Sequence, residues 1–377
     1  MPGLLPDVDP DGLLEYSVVY TDRSLNHMSR AFQGVMNDVS RGLKQAYGAR
    51  SVAVVPGGGT YAMEAVARQF AGGAKTLVLR NGFFSFRWTQ ILEAGGIAAA
   101  STVLKARRTG DAAQAPFAPA PIGEVVDTIR RERPAVVFAP HVETASGMIL
   151  PDAYVRAVAD AVHGVGGLFV LDCIASGAMW VDMRAAGVDV LLSAPQKGWS
   201  ATPCAGLVML GDEARARIDA TTSSSFACDL KRWLGIMETY ENGGHAYHAT
   251  MPTDGLRVLR GAIAETLAFG LDAARAAQQR LGDETRALLA ARGFASVAAA
   301  EFAAPGVVVC YTTDPEIQNG KKFLATGLQI AAGVPLQCDE PADFRSFRLG
   351  LFGLDKLKNV DRTVATLATA LDRVLAS

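Results

Sequence analysis

A lysine follows a short apolar run in the segment DVLLSAPQKGWSATP, residues 189–203. The run predicts a buried strand, and Lys197 lies in the loop of small residues after it. Burying an ammonium group is energetically unfavourable, so a buried lysine suggests a functional role. A lysine that burial keeps neutral can attack a carbonyl carbon. Lys197 is therefore a candidate for covalent chemistry.

Three other predicted strands also end in polar groups. Asp172 closes GLFVLD, residues 141–144 follow PAVVFAP, and the glycines 57–59 with Thr60 follow SVAVV. Ligands of parallel α/β sheets bind beyond the carboxyl ends of the strands, so these groups are expected on one rim. Glycines and a helix N-terminus suit a phosphate, while a lysine and an acid suit a pyridine aldehyde. The combination predicts a site for a phosphorylated pyridine aldehyde.

The glycine segment also permits a second interpretation. Gly57, Gly59 and Ala62 fit the pattern G-x-G-x-x-A of dinucleotide-binding turns, and Arg80 lies about twenty residues further on, where a 2′-phosphate could be bound. This match favours an NADP-dependent oxidoreductase as an alternative, but it leaves Lys197 without a role.

The elements that must position these residues alternate between strand-like and helix-like patterns, which predicts an α/β fold with a mostly parallel sheet. The predicted strands are SVAVV (51–55), TLVLR (76–80), PAVVFAP (134–140), GLFVLD (167–172), VDVLLS (188–193) and AGLVML (205–210). The alternation of strand-like and helix-like segments ends near residue 255, where a long Ala-rich helical stretch begins. We therefore expect a large domain over 1–255, with an N-terminal arm over about 1–25, and a smaller α/β domain over 256–377.

Composition excludes several classes of partner. The chain of 377 residues carries 36 Lys and Arg against 38 Asp and Glu, without runs of like charge, so neither nucleic acid nor a membrane surface is expected. Five scattered cysteines favour neither a disulfide framework nor a metal site. An apolar stretch long enough to span a membrane and an export signal are both missing, which predicts a cytoplasmic protein that binds small molecules.

Six segments together resemble a known family. VLDCIAS, SAPQKGW, PGGGTYAMEA, HVETASG, YHATMP and FRLGLFGLD are similar to segments of class V aminotransferases of fold type I, close to the alanine/serine–glyoxylate (serine–pyruvate) group. The likeness covers roughly residues 25–375 in the same order. It implies a seven-stranded, mostly parallel sheet, pyridoxal 5′-phosphate (PLP) as the cofactor, and a homodimer whose active sites are shared between subunits.

The resemblance also implies roles for individual residues around the cofactor ring. Lys197 resembles the lysine that forms a Schiff base with PLP and moves the substrate's proton. Asp172 resembles the acid that keeps the pyridine nitrogen protonated. Ile174 and Phe84 would pack against the ring, and Thr144 would hydrogen-bond near its phenolic oxygen.

Further matches concern the phosphate and the substrate. Residues expected at the phosphate are Gly58, Gly59, Thr60 and Gln196, together with Tyr247 and Thr250, which would reach the cofactor of the other subunit. Arg348 matches the arginine that holds the substrate carboxylate through two hydrogen bonds, a geometry that lysine does not reproduce.

These roles imply ping-pong transamination between a small amino acid, of the alanine or serine type, and glyoxylate or pyruvate. A cysteine desulfurase or lyase is the alternative within the fold, because Cys338 lies ten residues before Arg348. Those enzymes have histidine before the lysine, however, where this chain has Gln196.

The family's N-terminal Gly-Pro-rich motif is replaced here by residues 16–29. Tyr20, Arg23 and His27 are therefore candidates for lining the substrate pocket. His141 and His245 are expected to be structural or rim residues.

Overall fold

The computed structural model describes residues 13–376. Residues 1–12 of the predicted N-terminal arm therefore lie outside the described residues. The strands of the described part are β1 Ser51–Pro56, β2 Lys75–Arg80, β3 Ala100–Lys105, β4 Arg107–Arg108, β5 Phe117–Ala118, β6 Val136–Pro140, β7 Val142–Glu143, β8 Met148–Ile149, β9 Leu168–Asp172, β10 Val190–Ser193, β11 Ala205–Leu210, β12 Val307–Tyr311, β13 Ala331–Ala332 and β14 Ser346–Gly350.

Helices separate most of these strands along the chain. They are α1 Arg30–Tyr47, α2 Gly59–Phe70, α3 Phe83–Ala94, α4 Ile122–Glu132, α5 Asp152–Gly164, α6 Met183–Ala186, α7 Asp212–Asp219, α8 Leu230–Glu241, α9 Thr253–Phe269, α10 Leu271–Ala290, α11 Pro315–Gln318, α12 Lys321–Ala325, α13 Leu354–Lys358 and α14 Val360–Ala376. Within residues 13–376, none of the helices is long and apolar enough to cross a membrane.

A seven-stranded sheet forms the centre of the fold, in the order β1-β11-β10-β9-β6-β2-β3. Strand β11 is antiparallel to both of its neighbours, and the remaining pairings are parallel. This confirms the predicted mostly parallel sheet of seven strands. All six segments that were predicted as strands form part of it.

The seventh strand, β3, has no counterpart among the predicted strands. It lies at the edge of the sheet, and its sequence ASTVLK is exposed or only half-buried along its whole length. The central strands β6 and β9 are buried at every position, because helices cover both faces of the sheet there. Strand β3 lacks that apolar signal, which explains why the sequence pattern did not reveal it.

A second, three-stranded antiparallel sheet, in the order β12-β14-β13, lies in the C-terminal part of the chain. Arg348 on β14 is paired in register with Val309 on one side and Ala331 on the other. The predicted boundary at residue 255 falls inside α9, so the division of the chain into two domains stays a prediction.

The carboxyl ends of the parallel strands meet at one edge of the large sheet. Strand β1 leads there into the glycine turn before α2, β9 ends at Asp172, and β10 leads into the loop that carries Lys197. The turn is tied to this loop, since the amide of Gly57 donates to the carbonyl of Cys204 over 3.0 Å. Topology alone therefore brings together residues that lie far apart in sequence.

Strand β11 passes closely below the start of α2, which requires glycine at position 206. A Cβ atom on Gly206 would lie 2.4 Å from the Cβ of Ala62 and 2.7 Å from the carbonyl oxygen of Gly58. We expect Gly206→Ala to lower the free energy of unfolding by roughly 1–3 kcal/mol, as overpacked core sites do. Urea unfolding measures the difference.

The matched control is Gly123→Ala on α4, where a Cβ atom would meet nothing within 4 Å. This substitution is expected to be neutral or to stabilise the protein by up to about 1 kcal/mol, because alanine is the better helix former. Equal stability of the two variants would contradict the proposed close packing under α2.

Candidate active site

A cavity of about 160 Å³ opens at the carboxyl edge of the large sheet. It lies where the ends of β6 and β9, the loop after β10 and the first turns of α2 and α3 converge. The predicted site residues that line it are Gly59, Thr60, Phe84, Thr144, Asp172, Ile174, Gln196 and Lys197. The structure thus brings together most of the side chains that were singled out in the sequence.

Asp172 is buried at the end of β9, with 8% of its surface exposed. Burial raises the pKa of its carboxyl group to about 6, the negative charge of Glu143 adds to the rise, and the backbone hydrogen bond from Ile174 and the charge of Lys197 oppose it. One carboxylate oxygen, Oδ1, accepts the Ile174 amide over 2.9 Å. Among the described residues, no hydrogen bond to the second oxygen is found, so that oxygen can accept one from a ligand.

Lys197 is half-buried and shares the cavity with Asp172. Burial lowers the pKa of its ammonium group, and Arg348 and Arg87 lower it further, whereas Asp172 and Glu143 raise it. The Nζ atom lies 5.5 Å from the centre of the Phe352 ring. A lysine in such surroundings is neutral more often than a solvated one, which is what attack on a carbonyl requires.

The opposite end of the cavity suits an anion. Helix α2 begins there at Gly59, and its N-cap residue, Gly58, has no side chain to cap the first amides. Gly57 has a φ of +119°, a conformation in which other residues are strained. Arg87 reaches across from α3 and donates from Nη1 to the Thr60 hydroxyl over 3.0 Å. Backbone amides, a hydroxyl and a guanidinium group therefore converge on one point.

Apolar side chains form the walls between these two ends. Phe84 lies in the first turn of α3, and Ile174 follows Asp172 at the end of β9. A Cβ atom on Gly59 would lie 2.6 Å from Cδ1 of Ile174, so glycine is needed for this wall to approach the start of α2. A flat aromatic ligand with one anionic substituent matches this distribution of apolar and polar surface.

Arg348 reaches the site from the small sheet. Its Cζ lies 5.5 Å from the centre of the Phe84 ring, and its Nε donates to the carbonyl of Ala332 over 2.7 Å. Burial lowers the pKa of this guanidinium group, and Glu143 opposes that effect. Because arginine remains charged in proteins, Arg348 provides a cation near Lys197.

Some predicted residues lie away from this cavity. Tyr247 and Thr250 are exposed on the loop after α8, where their hydroxyl groups lie 3.1 Å apart. They do not line the cavity of their own chain, and their predicted contact with a partner subunit stays a prediction. Gly58 lies next to the cavity as the N-cap of α2. Arg23 is exposed, so in this chain it is not part of a buried pocket.

The histidines singled out in the sequence are placed differently. His141 is buried, and its Nδ1 lies 2.8 Å from the Ser176 hydroxyl. Burial lowers the pKa of His141 to about 4, helped by the charge of Arg275, so the ring is neutral near pH 7. His27 is also buried, in a cluster with Tyr20, His245 and Tyr247. These positions suit packing rather than proton transfer.

Two charged residues of the site, Arg87 and Glu143, were assigned no role from the sequence, although Glu143 lies in the segment 141–144 that was expected on the rim. Arg87 lies three residues after Phe84, a spacing that places both on one face of a helix, and this signal was available. Glu143 lies within the quoted segment HVETASG, but its partners are backbone amides of α3, which a sequence does not reveal.

Two residues bear on the alternative functions. The Cys338 thiol is buried against the carbonyl of Arg80, and burial raises its pKa to about 12, so it is poorly suited to act as a thiolate. Arg80 is itself buried beneath the Phe86 ring and donates to Thr89 and to the carbonyl of Gln337. It is not available to bind the 2′-phosphate of a dinucleotide.

Comparison with known proteins places this geometry in context. No protein-family model matches the chain. The "Soluble hydrogenase, small subunit" of a Synechococcus strain is 27% identical over 356 residues, which cover 93% of this chain and 87% of that protein. The 2-aminoethylphosphonate–pyruvate transaminase of Paraburkholderia phymatum is 27% identical over 94% of this chain and 90% of that protein. The alanine–glyoxylate aminotransferase of Rattus norvegicus is 26% identical over 66% of this chain and 58% of that protein.

Solved structures show the same fold. The crystal structure of an alanine–glyoxylate aminotransferase from Nostoc sp. superposes with a TM-score of 0.77 at 22% identity, over 92% of this chain and 88% of that chain. The chain therefore has fold type I of the PLP-dependent aminotransferases. The resemblance to class V aminotransferases, of the group that includes the alanine–glyoxylate enzymes, is confirmed.

The raised pKa of Asp172 has a consequence for stability. Because the folded state holds this proton more tightly than the unfolded chain, ionisation destabilises the folded state as the pH rises from about 4 to about 6, and the penalty stays above that range. We expect Asp172→Asn to raise the free energy of unfolding of the cofactor-free protein at pH 7 by about 1–3 kcal/mol. The gain should shrink toward zero at pH 4.

Urea unfolding at the two pH values measures this difference. Asp212→Asn is the control, since the Asp212 side chain is 83% exposed and its replacement is expected to have little effect at either pH. A stabilisation by Asp172→Asn that is as large at pH 4 as at pH 7 would show that ionisation is not its cause.

Proposed function

We propose that the protein is a PLP-dependent transaminase, which exchanges an amino group between a small amino acid of the alanine or serine type and a 2-oxo acid such as glyoxylate or pyruvate. The observation that carries the proposal is the shared cavity of Asp172 and Lys197, a buried acid and a half-buried amine at neighbouring strand ends. The transaminases among its relatives support the same reaction class.

The residues of the cavity fit PLP in three respects. The start of α2, Thr60, Gln196 and Arg87 offer donors to a phosphate group. Phe84 and Ile174 supply apolar surface for a ring, and Thr144 offers a hydroxyl group beside it. The second carboxylate oxygen of Asp172, Oδ2, can accept a hydrogen bond from a protonated ring nitrogen.

PLP, when bound, would supply an electron-withdrawing ring that weakens the bond between the substrate's Cα and its proton. The protein supplies the remaining functions. Asp172, ionised at neutral pH, stabilises positive charge at the ring nitrogen. The Lys197 amine takes the proton from Cα and would return it to C4′, the former aldehyde carbon of the cofactor. Arg348 holds the substrate carboxylate, and the apolar walls limit the access of water.

We also propose a subunit arrangement, a division into two domains and a cellular location. The protein acts as a homodimer in which Tyr247 and Thr250 contact the cofactor phosphate of the partner subunit, as the exposure of both residues on this chain allows. Residues 1–255 form a large domain and 256–377 a small one that carries Arg348. The protein is cytoplasmic, which its five free cysteines support.

The lysine is tested by spectroscopy. The protein with added PLP is expected to show a visible absorption band that bleaches with L-alanine or L-serine and returns with glyoxylate or pyruvate. Lys197→Ala removes both the amine that binds the aldehyde and the base, so we expect turnover to fall by roughly 10³-fold or more. Lys358→Ala, which removes an exposed lysine paired with Glu265, is the control and should keep the activity.

Normal turnover by Lys197→Ala would refute the assignment of this lysine. A wild-type protein that binds no PLP would refute the proposed cofactor, and with it the transaminase function.

The arginine is tested by steady-state kinetics. Arg348→Lys keeps the charge but loses the two parallel hydrogen bonds to a carboxylate, so we expect KM for both substrates to rise roughly tenfold or more, with a smaller change in kcat. The absorption of bound PLP should not change. Arg345→Lys, at an exposed position of the same segment, is the control. Unchanged KM values in Arg348→Lys would assign carboxylate binding to another residue.

A further inference from the structure

Glu143 is a buried carboxylate for which the proposed reaction has no use so far. It lies on β7 with 1% of its surface exposed. Among the described residues it forms no ion pair, and its partners are hydrogen-bond donors. Oε2 accepts from the amide and the hydroxyl of Ser85 over 2.8 and 2.7 Å, while Oε1 accepts from the amides of Ala145 and Phe84 over 2.9 and 3.3 Å.

These partners place Glu143 at the N-terminus of α3. The first amides of a helix lack partners within the helix, and the N-cap residue of α3, Gly82, has no side chain to satisfy them. A Cβ atom on Gly82 would lie 2.7 Å from Cγ of Glu143, so glycine leaves room for the carboxylate. Glu143 therefore caps α3 from a different segment, and its charge is favoured there by the helix dipole.

The first turns of α3 carry two residues that face the cavity. Phe84 lines one wall, and Arg87 extends to the Thr60 hydroxyl. The ring of Phe84 and the guanidinium group of Arg87 also contact each other, with 5.3 Å between Cζ and the ring centre. The hydrogen bonds that hold the first turn of α3 fix the orientation of the helix. They therefore also fix the positions of both side chains.

The charge of Glu143 also reaches the reacting groups. Of the described charged residues, Lys197, Arg87 and Asp172 line the cavity, and the cation of Arg348 lies against Phe84 in its wall. Burial is the largest influence on both reacting groups, since it raises the pKa of Asp172 and lowers the pKa of Lys197. The charge of Glu143 acts upward on both pKa values. It thus acts as a second, more remote anion that partly balances the three cations.

We propose that Glu143 is a positioning residue for the transamination site: its carboxylate fixes the first turn of α3, so that Phe84 packs against the cofactor ring and Arg87 lies beside the phosphate. The same carboxylate keeps a negative charge near the nitrogen of Lys197. This inference rests on the proposed function, and it adds a residue that contacts neither cofactor nor substrate.

The test compares PLP binding and its pH dependence in three variants and the wild type. Glu143→Gln keeps the size of the side chain but removes the charge, and it turns an NH₂ group toward amide donors. We expect the dissociation constant of PLP to rise about tenfold. The visible band of bound PLP titrates with the nitrogen of Lys197, and loss of a nearby negative charge should lower the midpoint of that titration by roughly one pH unit.

The charged groups that influence this nitrogen are Asp172 on β9, Arg348 on β14, Arg87 on α3 and Glu143 itself, and the first three are unchanged in the variant. Glu93→Gln is the matched control, because it removes an exposed carboxylate from the far end of the same helix. It should reproduce both wild-type values. Glu143→Asp keeps the charge but withdraws it by one methylene group, so it should weaken PLP binding and preserve the midpoint.

An unchanged midpoint in Glu143→Gln would reduce Glu143 to a helix cap and overturn the proposal, as would unchanged affinity. If circular dichroism shows that Glu143→Gln does not fold, Glu143→Asp decides, since wild-type affinity in that variant would also overturn it. Failure of the proposed function is distinguishable, because then the wild-type protein itself binds no PLP.

Discussion

The burial of opposite charges at one edge of the large sheet is the constraint on which the rest of the structure depends. Asp172 is held in apolar surroundings that disfavour its ionised form, and Lys197 in surroundings that disfavour its charged form. Parallel strands β9 and β10 place the two groups at the same edge because each strand ends there. Helices cover both faces of the sheet at β9, and Lys197 lies in the loop that follows the end of β10. The same features that disfavour these charges prepare the two groups for a ligand that pairs with them.

Local sequence patterns predict those parts of this arrangement that lie at the ends of apolar strands. Lys197, Asp172 and the glycines before Thr60 each follow an apolar strand, and the parallel-sheet rule then brings them together. Edge strand β3 was not recognised, because half-exposed residues give no apolar run. The role of Glu143 was not predicted, because it accepts hydrogen bonds from amides of α3, whose proximity depends on tertiary packing. Pairwise contacts between segments are the information that the sequence pattern lacks.

Arg348 illustrates an intermediate case. The resemblance to a family identified the residue, whereas its position depends on a second sheet that is far from the first in sequence. Pairing of β14 with β12 and β13 fixes the backbone of Arg348, and the carbonyl of Ala332 holds its Nε. The guanidinium group is therefore attached to the small sheet, while the amine of Lys197 is attached to the large one. In the proposed function, the group that binds the substrate carboxylate and the reacting nitrogen are thus held by separate sheets.

The reversed direction of β11 has a consequence for the chain around Lys197. A parallel neighbour after β10 would have required a crossover that carries the chain to the opposite edge of the sheet. An antiparallel neighbour lets the loop leave β10 and enter β11 at the same edge, where the carbonyl of Cys204 also binds the Gly57 amide. Both ends of the lysine loop, residues 194–204, are thus held by strands of the large sheet, and within it the amide of Ala201 donates to the carbonyl of Pro195 over 2.9 Å. The amine proposed as the nucleophile therefore lies on a hairpin connection whose two ends are fixed at the same edge of the sheet.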